Sequence, residues 1–172
     1  MENRDQRPLS IKLGPAKLKQ FFIHHLDRIY AAKAHLVAKL PLILDEVHFR
    51  DLHLAITETI ADVEKQIARM EIIYALLDVK VSNESCHGLI GLVEDAFDAI
   101  MRQKKDPALR DLSIIFYMQN IESVEMASFQ ILQMAAVKIK NKQIKQLLKE
   151  NYDEAKADRA LLLLISANYI TR

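Results

Sequence analysis

Residues Asp106–Ile139, DPALRDLSIIFYMQNIESVEMASFQILQMAAVKI, fix how this chain folds. The stretch contains no glycine, and its single proline follows Asp106, a good N-cap, at the first helical position, where the missing N–H costs nothing. A core-facing helix presents a residue every three or four positions, and that walk gives Ile115, Met118, Glu122, Glu125, Phe129, Leu132 and Ala136. The seam is apolar at both ends and carries two carboxylates, one turn apart, at its middle.

Outward from this helix, breakers are sparse. The chain has only 3 glycines and 4 prolines, so the intervals between them read as long helices. Five are predicted: about Ala16–Glu46, Phe49–Leu77, a shorter one over Cys86–Lys104, Pro107–Ile139, and Lys142–Tyr169. Pro41 falls inside the first pattern and is expected to kink or end it, because proline cannot donate to the carbonyl four residues back. The first and second helices, and the fourth and fifth, are separated by only a few residues, so each pair reads as an antiparallel hairpin. The third helix belongs to a longer crossover between them. The fold class is therefore all-α: a ferritin-like antiparallel four-helix bundle of two hairpins with a short extra helix in the crossover. Residues 1–15 read as a polar N-terminal arm and 16–172 as a single helical domain.

The other seams are interrupted in the same way. The first helix gives Phe22, Leu26, Ile29, Lys33, Leu36, Leu40 and Ile43; the second gives Leu52, Ile56, Thr59, Val63, Gln66, Met70, Ile73 and Leu77, flanked by Asp62. The last gives Ile144, Leu147, Asn151, Glu154, Asp158, Leu161 and Ile165. Lys33 lies about 14 residues before its turn and Asp62 about 15 after, while Glu122 and Glu125 lie about 15–18 residues before theirs and Glu154 and Asp158 about 14–18 after. Packed hairpins therefore bring Lys33, Asp62, Gln66, Glu122, Glu125, Asn151, Glu154 and Asp158 into one central layer.

Carboxylates on several facing helices are how bundle proteins hold two iron or manganese ions, since hard oxygen ligands on rigid helices fix the ions a few ångströms apart. Buried carboxylates cost several kcal/mol each unless metal ions, protons or a cation neutralise them. Lys33 supplies one such positive charge from within the chain. The six histidines, His24, His25, His35, His48, His53 and His87, fall outside the layer and read as surface or helix-end residues. Met70, Met118, Met126 and Met134 stand at helical spacings and read as core filler.

Composition removes other classes. Lysine and arginine number 24 against 23 aspartates and glutamates, so no net field attracts nucleic acid or an anionic membrane. There is no Gly-rich phosphate loop, nucleophile elbow or cysteine cluster. The lysines from Lys138 to Lys149 around the last turn read as a solvated face. A lone cysteine, Cys86, fits a reducing compartment and a structural role, and no apolar run approaches the ~20 residues that span a bilayer. A cytoplasmic location is expected, with no membrane, nucleic-acid or identified small-molecule partner.

Five segments in order, LDRIYAAKAHLVAKLP at Leu26–Pro41, QIARME at Gln66–Glu71, GLVE at Gly91–Glu94 after Cys86, DPALRD and QNIESVE, resemble the YciE/YciF family of ferritin-like proteins over about Phe21–Leu164. That resemblance implies a stress-associated protein, a homodimer and a dimetal carboxylate centre. It also implies a damaged centre. The glutamate expected in the first helix is Lys33, the one in the second is shortened to Asp62, and Ser123 replaces the histidine between Glu122 and Glu125. The double glutamate of the last helix reads Glu154 and Ala155. The ligand set is then Asp62, Glu122, Glu125 and Glu154, with Lys33, Gln66, Asn151 and Asp158 replacing charge or supporting them. The expected cofactor is none, or a single weakly held iron or manganese ion, and the expected role is structural. The alternative is an iron- or manganese-dependent oxidase, peroxidase or iron-handling enzyme.

Overall fold

The computed structural model describes residues 13–82 and 87–171, which form five helices: α1 Pro15–Leu44, α2 Arg50–Leu77, α3 His87–Arg102, α4 Pro107–Ala136 and α5 Lys142–Thr171. Most of the N-terminal arm, and Cys86, lie outside the described residues. The start of α4 is as expected, with the Asp106 carboxylate accepting from the Leu109 backbone N–H at 3.0 Å. An equivalent cap opens α5, where the Asn141 side-chain oxygen accepts from the N–H groups of Gln143 and Ile144 at 2.9 and 3.2 Å. Helix α1 runs through Pro41 and ends at Leu44 rather than Glu46. Pro41 is exposed, so the carbonyl it leaves without an amide partner lies on the wet side of the helix. Helix α4 ends at Ala136, short of Ile139, because the next residues turn toward Lys140, whose φ of 58° is left-handed.

Helices α1, α2, α5 and α4 surround one core in that order, each packed on its neighbours, and α3 lies across α1 and α4 from outside. A clamp at one end fixes the α1–α2 turn. The buried Asp111 of α4 accepts from the backbone N–H groups of His48 and Phe49 at 2.8 and 2.6 Å, and Arg110 reaches the Glu46 carboxylate at 2.7 Å. These contacts hold the two hairpins in register and so set the height at which their seams meet.

The core is two apolar clusters. One runs from Leu36, Val63, Ile121 and Leu162 toward the α1–α2 turn and includes α3 through Val93, Phe97 and Ile100. The other runs from Ile29, Met70, Phe129 and Leu148 toward the α4–α5 turn. On all four bundle helices the gap between the clusters is filled by polar or small residues. Of the methionines, Met70 and Met118 are core as expected, but Met134 is 62% exposed on the outer side of α4.

Candidate functional site

The gap between the clusters is the central polar layer. From α1 comes Lys33, fully buried; from α2, Gln66; from α4, Glu122 and Glu125; from α5, Asn151 and Asp158. Every seam residue predicted for α1, α2 and α4 is buried. On α5 the seam takes its four-residue and three-residue steps in the opposite order. Leu148, Ala155 and Leu162 are buried where Leu147, Glu154 and Leu161 were expected, while Ile144, Asn151, Asp158 and Ile165 hold their places. Both orders fit the heptad equally well; the apolar Ala155 goes inward and Glu154 turns to the flank, where it need not be desolvated.

Lys33 is the hub. Its ammonium Nζ donates to the Gln66 side-chain oxygen and forms an ion pair with Glu125, and it lies 5.5 Å from the centroid of the Phe129 ring. Asn151 donates from Nδ2 to the Gln66 backbone carbonyl at 3.3 Å, tying α5 to α2 at the same level. Glu122 is buried with neither carboxyl oxygen bonded, and Asp158 has one oxygen in the same condition. Burial, reinforced by the neighbouring Glu125, holds the Glu122 carboxyl well above the usual carboxylate range. Burial and the nearby Asp62 push Asp158 up to about 7. The layer thus pairs one ammonium with one carboxylate and keeps two further acidic side chains, Glu122 and Asp158, out of water.

Two of the expected ligands stand apart from this hub. Asp62 is half-buried and accepts from Lys65 on its own helix at 2.7 Å. Glu154 takes a two-pronged contact from Arg69 at 2.6 and 2.7 Å, and Arg69 also reaches Glu150 at 3.0 Å and Asn151 at 3.3 Å. Arg69 escaped the sequence reading because it sits beside the α2 seam; its spacing of three from Gln66 is the signal that put it at the level of the layer. Ser123, where the resemblance expects histidine, points to α5: its hydroxyl accepts from Arg159 Nε at 2.7 Å and donates to the Gln119 carbonyl at 2.7 Å. None of the described histidines is buried. His35 pairs with Glu94 of α3, and His24 accepts from Arg28. Among the described residues, no group of three or more His, Cys, Asp or Glu side chains is arranged to hold a metal ion. No helix among them is long and apolar enough to cross a membrane.

Two hairpins closing on a polar layer are what the spacing predicted, a ferritin-like bundle is what the family resemblance implied, and comparison with family models agrees with that resemblance. A family described as a domain of unknown function, DUF892, matches residues 17–171. The chain belongs to this YciE/YciF family. Protein YciF of Escherichia coli (strain K12) is 26% identical over 156 residues, which are 90% of this chain and 93% of that protein. The crystal structure of the E. coli stress protein YciF shares the fold with a TM-score of 0.84 at 24% identity, covering 90% of this chain and 98% of that one. YcfI from Rhodopseudomonas palustris gives a TM-score of 0.79 at 25% identity, covering 94% and 97%. Lys33, Ser123 and Ala155, the positions at which the resemblance expects other residues, all fall at the level of the central layer.

Proposed function

We propose that this YciE/YciF protein is a dimeric, stress-associated scaffold in which the dimetal centre is degenerate and the Lys33 ammonium supplies charge that a metal ion would otherwise bring. The carrying observation is the contact of Lys33 with both Gln66 and Glu125 between the two halves of the core. The donor set does not fit two ions. Asp62 and Glu154 are engaged by Lys65 and Arg69, Glu125 by Lys33, and the position beside Glu154 is an alanine. What remains open is Glu122 and one oxygen of Asp158, enough for at most one weakly held ion. The stress association is carried over from the description of YciF.

The unbonded Glu122 oxygens favour a second reading, an iron- or manganese-dependent oxidase or peroxidase, in which Glu122 and Asp158 would be the ligands and the hydrophobic clusters would keep bulk water out. Thermal unfolding with added Mn(II) or Fe(II) separates the two. A ligand that binds only the native state raises the melting temperature progressively once its concentration exceeds its dissociation constant. The scaffold reading expects a rise only at metal concentrations far above that of the protein, and a rise that already appears at stoichiometric metal and disappears in Glu122→Gln would move the protein to the enzyme reading.

A further inference from the structure

The balanced total charge of the chain conceals a segregation. The two hairpins gather the start of α1, the end of α2 and the α4–α5 turn at one end of the bundle, where Lys19 donates to the Leu77 carbonyl at 3.3 Å. Residues 13–20, 74–82 and 133–146 make up that end, and they carry seven lysines against a single acid, Asp78. Lys17 and Lys19 of α1 and Lys80 beyond α2 join Lys138, Lys140, Lys142 and Lys145 around the last turn, and all are exposed. The opposite end, residues 41–53, 98–114 and 166–171, sets five lysines and arginines against six acids. Two helix N-termini meet two C-termini at the basic end, so the helix dipoles cancel there and the field is the lysines' own.

Nothing within the protein neutralises that field. Lys39, Lys65 and Lys149, on the sides of the bundle, each pair with a carboxylate, whereas among the described residues no carboxylate pairs with any of the seven. Lys19 and Lys145 stand furthest along their helices, yet at 1.5 Å per residue they are at most about 6 Å from the first helical residue, within the ~8 Å screening length of physiological salt. A charged plane laid across this end therefore meets all seven. Aliphatic side chains lie among them: Leu13 is 49% exposed, Leu76 38% and Val137 56%. A groove of about 380 Å³ is lined by Leu76, Leu77 and Ile139 together with Lys19 and Lys138. The three segments contain no arginine, and their one aromatic residue, Tyr74, is buried, so the end offers neither a guanidinium fork nor a stacking platform for nucleic acid. Lysine point charges around exposed aliphatics suit lipid headgroups and the acyl boundary beneath them.

We propose that this lysine-crowned end of the bundle docks on the surface of an anionic phospholipid bilayer without spanning it. The assignment goes beyond the proposed function and is independent of the state of the central layer. Co-sedimentation of the full chain with vesicles of equal parts phosphatidylglycerol and phosphatidylcholine tests it. Binding is expected on these vesicles, absent from pure phosphatidylcholine, and lost as salt is raised. Each lysine near an anionic surface is worth about fivefold in partitioning, so Lys138→Ala/Lys142→Ala is expected to bind about 25-fold more weakly with helical circular dichroism unchanged. Lys104→Ala/Lys105→Ala, at the opposite end, binds like the native protein. Failure to bind the anionic vesicles overturns the assignment, as does equal binding to phosphatidylcholine or an equal loss in the Lys104/Lys105 variant. Release from the vesicles by inorganic phosphate at constant ionic strength would mark a pocket for a single phosphate instead, and binding to duplex DNA but not to vesicles would mark a nucleic-acid surface; either result also overturns it.

Discussion

Lys33 of α1 and Glu125 of α4 form a buried ion pair halfway along the bundle, with the Gln66 side-chain oxygen of α2 as a second acceptor for the same ammonium. The pair stands where the apolar core is divided in two, so neither charge has water to fall back on. Its worth lies less in the attraction itself than in what either partner suffers when the other is removed.

Lys33→Ala is therefore expected to destabilise the protein by about 3–5 kcal/mol, measured as a lowered urea midpoint. A double variant, Lys33→Met with Glu125→Leu, removes both charges and should recover most of that loss, since replacing a buried pair with apolar groups of similar volume is close to neutral. Equal midpoints for Lys33→Ala and the native protein would contradict the pairing.

Asp158 gives the layer a pH dependence whose sign follows from its raised pKa. The folded carboxyl titrates at about 7 against an ordinary value of 3.8, so the folded state holds the proton more tightly than the unfolded chain. Its contribution is favourable at low pH, declines as pH rises from about 4 through 7, and is flat above. Asp158→Asn removes this term. The variant should match the native protein near pH 4 and exceed it by on the order of 2 kcal/mol at pH 8, read from urea unfolding at each pH. A difference that does not change with pH would show that Asp158 is not held protonated.

Glu154 serves Arg69 and not the hub. Glu154→Ala breaks a half-buried two-pronged contact and is expected to cost about 1 kcal/mol. It should leave the metal uptake of any variant unchanged. Loss of bound metal on this substitution would return Glu154 to the ligand set.

Much of this was legible in the sequence because spacing alone carries it. The seams of α1, α2 and α4 are unambiguous, and the short turns force their polar interruptions to one level. The α5 seam was not, since Leu147 and Leu148, and Leu161 and Leu162, are adjacent leucines that satisfy either step order; packing decided for Leu148 and Leu162, and Glu154 moved out with that choice. Long-range contacts were invisible for a different reason. Nothing local marks Asp111 as the acceptor for two backbone N–H groups of another hairpin's turn, or Arg69 as the partner of Glu154, because each pairing depends on helices separated by a crossover. Nor did spacing separate the exposed Met134 from the core Met118, since both stand at helical intervals and only burial tells them apart.

The central claim is that Lys33 takes a metal's place, and elemental analysis of the native protein and Lys33→Glu, both purified after growth with added iron and manganese, tests it most directly. The account predicts substoichiometric metal in the native protein and a clear gain in Lys33→Glu, where a carboxylate replaces the ammonium beside Glu122 and Glu125. Stoichiometric metal in the native protein, lost or unchanged in Lys33→Glu, would contradict it.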